Sequence, residues 1–360
     1  MNTFHGVSKI VDAHMHQIDP LTTPRAFSAA ARQWANNPED LEAATDLLPP
    51  GFDALGDPRP LFDSYLPEDY AADAIGLPVA EAVHIQVGWA SADPAEETAW
   101  VSRLRFDGIR IGAIIGSADP SSDSFGPQLD AHRRASETFR GVRFMSAFHT
   151  DPGVISVVDR PGVLSESRTL RGLEALVERD LLFEAWVYAD QLDDIAAVAR
   201  EYPELPIVVD HLALPAGAFG PVGEHTGLRT ETRRDLFTQW SDAISGLATH
   251  PNVNLKHSGL GSAYLGTTPT TFTDLDRLGD LVGPYLQHAS ASFGGNRSLW
   301  GSDFHNSRGV LPMREIAELH TRHLPENVLG KFFHDNARKI YRMEHTPGTS
   351  PISEEENSHE

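Results

Sequence analysis

Apolar residues along this chain fall into short, β-branched-rich runs, each followed by a stretch with amphipathic helical spacing or by a polar loop. The runs are "KIVDAHMH" (9–16), "AEAVHIQVGW" (80–89), "GIRIGAIIGSAD" (108–119), "GVRFMSAFH" (141–149), "LLFEAWVYAD" (181–190), "LPIVVDHLA" (205–213), "NVNLKHSGL" (252–260) and "RSLWGSDFH" (297–305). Helical spacing marks 93–106, which opens on Asp93, Pro94 and two glutamates, and then 126–138, 168–180, 190–201, 230–249, 272–291, 311–323 and a last segment near 325–343. Eight β-then-α units whose strands are apolar on both faces predict an α/β fold, a closed (β/α)8 TIM barrel in preference to an open doubly wound sheet. The pattern predicts one barrel domain over residues 1–343 and a polar, acidic, disordered tail over 344–360. Two long excursions, 20–66 after the first strand and 212–230 after the sixth, leave the strand ends where such barrels carry their chemistry.

Composition narrows what that barrel does. The chain has 51 acidic against 29 basic residues, a formal net charge of −22, which excludes the basic surface needed for nucleic acid or anionic membrane. A small-molecule substrate is the expected partner, and a homo-oligomer is compatible with the sequence. No apolar run reaches the roughly 18 residues of a membrane span, and "MNTFHGVSK" lacks a secretory signal, so a soluble, cytoplasmic protein is expected. With no cysteine, a bound metal must be held by His, Asp, Glu or water.

The first run carries His14 and His16, which alternation along a strand places on one face with Asp12 behind them. With 17 histidines in 360 residues, chance alone yields roughly 0.8 such His-x-His pairs, so the motif needs context. The context is a closed barrel, whose mouth would bring these two together with His211 from the sixth strand and Asp303 from the eighth. Imidazoles and a carboxylate suit one divalent metal with an open position for water. At the sixth strand, parity with Ile207 and Val209 favours His211 over Asp210 as the inward residue.

Spaced motifs extend this picture: "VDAHMH", "LPEDY", "VHIQV" followed by "EETAW", "FRGVRF", "VVDHLALP", "PNVNLKHSGL", "LWGSDFH" and "HDNARKIYRM". Together, over about residues 9 to 343, they resemble the amidohydrolase-2 branch of the amidohydrolase superfamily. The resemblance is strongest to a group of TIM-barrel metal-dependent hydrolases that includes sugar-acid lactonases and pyrone or muconolactone hydrolases. It implies His14, His16, His211 and Asp303 as the metal-binding set, with Asp303 and His211 catalytic and Asp303 as general base. It implies zinc, with manganese as the alternative metal; members differ in whether they need metal, so a metal-free site is the other expectation. The lysine on the fourth strand and histidine on the fifth that bind two metals elsewhere in the superfamily are missing from "GVRFMSAFH" and "LLFEAWVYAD".

Glu184, a lone acid in the fifth strand, is therefore a candidate ligand, against a reading as half of a buried ion pair. Lys256, one of only four lysines, and Arg143 are candidates for a substrate carboxylate or an oxyanion. His84, Trp186, Tyr188 and His305 are candidate substrate contacts. The expected reaction is hydrolytic opening of a lactone; the alternative is non-oxidative decarboxylation, whose relatives usually carry the fifth-strand histidine that is missing here.

Overall fold

The computed structural model describes residues 3–49, 57–267 and 275–343. Its frame is a single sheet of eight strands in chain order, each parallel to the next: β1 (Ile10–Met15), β2 (Val79–Ile85), β3 (Arg110–Ser117), β4 (Phe139–Met145), β5 (Leu182–Trp186), β6 (Ile207–Val209), β7 (Val253–His257) and β8 (Ser298–Trp300). Between them run α5 (Ala95–Arg103), α6 (Phe125–Ala135), α7 (Ser167–Glu178), α8 (Leu192–Glu201), α9 (Thr230–Leu247) and α10 (Leu275–Phe293). After β8 come α11 (Met313–His323), α12 (Glu326–Gly330) and α13 (Asn336–Ile340). All eight predicted strands are present, and the molecule is a (β/α)8 barrel. The tail at 344–360 lies outside the described residues.

The two faces of each strand divide the apolar residues into two cores. Val11, Ala13, Val83, Ile85, Ala113, Ile115, Leu182, Val208 and Leu299 pack with Tyr341 and Met343 inside the barrel. Their sequence neighbours, such as Ile10, Ile207 and Val209, face the helix layer. The helices present matching stripes: Leu192, Ile195, Ala196, Val198 and Ala199 are the buried residues of α8, whose first turn carries Asp193 and Asp194 at the positive end of the helix dipole.

Backbone hydrogen bonds close β8 onto the end of β1. The Asp303 N–H donates to the His14 carbonyl at 2.8 Å and the His16 N–H to the Phe304 carbonyl at 2.7 Å. Asp12 fastens the same seam: it accepts from the Ser302 N–H at 2.8 Å, the Ser302 hydroxyl at 2.5 Å and the Tyr70 hydroxyl at 2.8 Å. Asp12 is thus turned away from the two histidines, contrary to the simple alternation. A shift in register between Asp12 and Met15 explains the break, since one extra residue resets which face follows.

Two corrections concern the ends of elements. β6 and β8 are three residues each, shorter than predicted, because the chain leaves the sheet early to shape the mouth. The excursion at 20–66 carries three short helices among its described residues, α1 (Ser28–Asn36), α2 (Leu41–Thr45) and α3 (Arg59–Phe62), before α4 (Pro67–Asp73) leads into β2. Ala30, Ala31, Ala44 and Phe62 give it a small core of its own. Among the described residues no helix is long and apolar enough to cross a membrane.

Candidate active site

The mouth of the barrel is built where strand geometry breaks down. After the register shift in β1, His14 and His16 both turn inward, with ring centroids 5.0 Å apart. At the end of β6 four consecutive residues, His211 to Leu214, have left-handed φ angles of 54°, 56°, 60° and 37°. Such angles cost L-residues free energy, so surrounding contacts must hold them. They swing His211 to within 4.5 Å of the His14 ring, centroid to centroid. Asp303, also left-handed at φ 57°, follows β8 and completes the group. Two glycines make room: a Cβ on Gly301 would lie 2.6 Å from the His14 Cβ, and one on Gly259 would lie 2.6 Å from the His211 ring.

Hydrogen bonds define the roles of the ring nitrogens. His16 Nδ1 lies 2.8 Å from the Ile85 carbonyl, which can only accept, so Nδ1 carries a proton. His16 Nε2 then faces Asp303 Oδ1 at 3.3 Å, lone pair toward carboxylate, an arrangement that needs a proton or a cation between them. His14 Nε2 points to the same oxygen at 3.7 Å and has no hydrogen-bond partner among the described residues. His14, His16 and Asp303 offer ligand atoms within 4.8 Å of one another, as do His14, Asp210 and His211. The unpartnered nitrogen, the buried carboxylate and the N,O donor set fit a divalent metal. His211 Nδ1 is 2.8 Å from the Ser258 hydroxyl, which orients the ring.

The electrostatics follow from burial and crowding. Burial pushes the Asp303 carboxyl upward, but His211, His16 and His14 around it prevail and hold it below the ordinary carboxylate range. Burial lowers the His211 and His14 imidazoles, His14 further through the charge of Lys256. Above this group lies a cavity of about 300 Å³ lined by His211, Asp303, Arg143, Trp186, Tyr264 and Met145, among others. Arg143 donates from Nη2 to the Gln86 carbonyl at 2.7 Å and lies 3.7 Å from Asp210, while its buried Nε has no partner among the described residues.

Of the residues anticipated from sequence, His14, His16, His211, Asp303, Arg143 and Trp186 converge on this mouth. Four others stand elsewhere, and a fifth is one step removed. Glu184 is not positioned as a ligand: its Oε2 accepts from Lys256 Nζ at 2.8 Å and its Oε1 from the Tyr341 hydroxyl at 2.5 Å. Lys256 does not reach the cavity, because it is fully buried beneath the histidines, 3.0 Å from Asp210 and 3.2 Å from His14 Nδ1. His84 faces the helix layer, since Val83 and Ile85 point into the barrel; its Nδ1 accepts from the Gln17 N–H at 3.2 Å and its Nε2 lies 3.5 Å from Glu97. Tyr188 lines a separate hollow with His149 and Asp190, its hydroxyl donating to the Ile155 carbonyl at 2.8 Å. His305 stacks on Tyr65 at 5.9 Å and lines the hollow adjoining the main cavity.

One residue of the mouth is disfavoured by the sequence argument and another escapes it. Asp210 points inward, not Ile207 or Val209, because Val208 sets the interior parity of β6 and Asp210 continues it. His211 arrives as well, through the left-handed turn. Tyr264 enters from the short 3-10 turn Ala263–Leu265 after β7, where no periodicity could flag it.

Paired histidines from β1, a histidine after β6 and an aspartate after β8, gathered at the C-terminal mouth of a (β/α)8 barrel, define an amidohydrolase-type site. The family model described as amidohydrolase matches residues 11–343, and the chain belongs to that family. An uncharacterised protein, y4mH, of Sinorhizobium fredii is 29% identical over 293 residues, 81% of this chain and 90% of that protein. An L-fucono-1,5-lactonase of Burkholderia ambifaria is 35% identical over 198 residues, 55% of this chain and 57% of the lactonase. A Burkholderia multivorans amidohydrolase crystallised with bound zinc superposes with a TM-score of 0.65 at 21% identity, covering 93% of this chain and 99% of that one.

Proposed function

We propose that the protein is a lactone hydrolase acting on a small cyclic ester, of the sugar-acid or pyrone and muconolactone type. The observation that carries this reading is the Asp303 carboxylate set among three imidazoles and lining a cavity of about 300 Å³. A carboxylate so placed can orient a water and accept its proton, the role of a general base. Arg143 lines the same cavity, a positive charge beside the carbonyl oxygen as it gains negative charge. Trp186 and Tyr264 supply flat apolar surface for a ring, and the open hydroxyl chemistry of a sugar-type substrate has Asn306 and Thr267 within the same lining.

The residues to hold one divalent metal are His14 through Nε2, His16 through Nε2 and Asp303, with His211 beside them. Zinc is the metal we assign, in line with the zinc in the Burkholderia multivorans neighbour, with manganese as the alternative. When bound, such an ion polarises a carbonyl and lowers the pKa of water. The lactonase of Burkholderia ambifaria supports the reaction class. Glu184, occupied by Lys256 and Tyr341, leaves the fifth strand without the free ligand the decarboxylase alternative would use.

The test is a pH-indicator screen of aldono-lactones, muconolactones and pyrone carboxylates, run before and after chelation and zinc repletion. Acid release from one of these classes is expected, with activity lost on chelation and regained with zinc. Turnover of none of them, with release of CO₂ from an aromatic acid instead, would sink the reading.

A further inference from the structure

Two sets of potential ligands share His14, one through each ring nitrogen. The outer set is His14 Nε2 with His16 and Asp303; the inner set is His14 Nδ1 with Asp210 and His211, and it is the one that Lys256 underlies. The inner set already touches a cation. Lys256 Nζ is 3.0 Å from Asp210 Oδ1, 3.2 Å from His14 Nδ1 and 2.8 Å from Glu184 Oε2, and all four side chains are fully buried. We infer that the Lys256 ammonium is the resident cation of the inner set, so that the site admits one exogenous divalent metal and no second.

The charge balance carries this. Asp210 and Glu184 are two carboxylates on one buried ammonium, and a buried carboxylate is tolerable only when a cation or a proton meets it. A divalent ion seated on Asp210 and His14 Nδ1 would stand within a few ångströms of the ammonium, and repulsion between cations in a poorly solvated interior opposes it. The lysine thus supplies, from the seventh strand, the positive charge that this set of ligands would otherwise offer to a metal. Without it, two carboxylates and two imidazoles would remain around an empty volume the size of an ammonium group, a suitable seat for zinc.

This inference rests on the reading of the outer set as a metal seat, and metal stoichiometry separates the two. Chelated protein is titrated with zinc chloride by calorimetry, and zinc content is measured after dialysis. Each variant is compared with its own His14→Ala counterpart, so that zinc on the other histidines of this 17-histidine chain is subtracted. One site-bound equivalent is expected in the wild type and in K256R, and two in K256M. Should K256M not fold, K256M/E184Q, which also removes one of the two carboxylates, carries the same measurement. No zinc in the wild type but one equivalent in K256M would defeat the outer seat and leave the inference standing. Two equivalents in the wild type, or no gain in K256M, would overturn it.

Discussion

The upper and lower halves of the barrel interior are made by the same strands, yet they obey different rules. Below, Val11, Ala13, Val83, Ile85, Ala113, Ile115, Val208 and Leu299 interlock with Tyr341 and Met343, which follow the last helix, in an apolar cluster. Within a few residues along the strands, His14, His16, Asp210, His211 and Asp303 crowd together, and the backbone there shows a register shift and a series of left-handed residues. The lower half is stabilised by removing apolar surface from water. The upper half holds charges and strained backbone that regular packing would not select, and Lys256 with Glu184 forms the boundary between the two. Stability resides below and chemistry above, each at little benefit to the other.

Mutation can test that division, beginning with the upper half. Asp303→Asn should lower kcat/KM of the folded protein for an accepted lactone by about 10²- to 10⁴-fold. A loss of less than tenfold would remove Asp303 from its role. In the lower half Leu299→Ala should do the reverse, costing about 2–5 kcal/mol in urea unfolding with turnover of the folded fraction unchanged. If Leu299→Ala instead abolished turnover without loss of stability, the two halves would not be separable.

Glu97 sharpens the contrast, because it is an ionic group that serves stability. It lies behind β2, accepting from Arg25 at 2.7 Å and the Val87 N–H at 2.9 Å. Burial raises its carboxyl, but His84 and Arg25 outweigh that and bring it from 4.5 to about 2. A group depressed in the folded state adds stability that is complete above the unfolded value of 4.5 and is lost as pH falls through about 2. The shift corresponds to about 3 kcal/mol. Glu97→Gln should therefore weaken the protein at neutral pH and flatten its acid unfolding curve across that window. An unchanged curve would show that the carboxylate contributes nothing there. The smallest effect is expected from Ala213→Gly, which relieves one left-handed residue of the β6 turn at φ 60°. The unfolding free energy should rise by about 0.5 kcal/mol, the gain in backbone freedom being partly cancelled by glycine entropy. A fall would mean that neighbouring contacts, not intrinsic backbone preference, dominate at that turn.

Much of this architecture was legible in residue order. The alternation of apolar runs and amphipathic stretches located all eight strands, and closure of the barrel then implied that His14, His16, His211 and Asp303 meet. The failures share one origin. In a barrel both faces of a strand are buried, so an apolar neighbour does not say which face is the interior. Parity with Ile207 and Val209 therefore picks the wrong face of β6, and the sequence alone leaves His84 on β2 equally open to a substrate contact or a core position. Asp12 misled differently, since alternation cannot be counted through a register shift. Tyr264, in an irregular turn, had no period to betray it.

Periodicity and residue type were enough for the class of fold, the end of the barrel that carries the site and most of the groups gathered there, because those follow from local repeats and from the closure rule they imply. Whether Lys256 faces a substrate or a pair of carboxylates, whether Glu184 is free, and which nitrogen of His16 is available were decided only in three dimensions. Each depends on distances between strands far apart in sequence, where a shift of one residue exchanges the barrel interior for the helix layer.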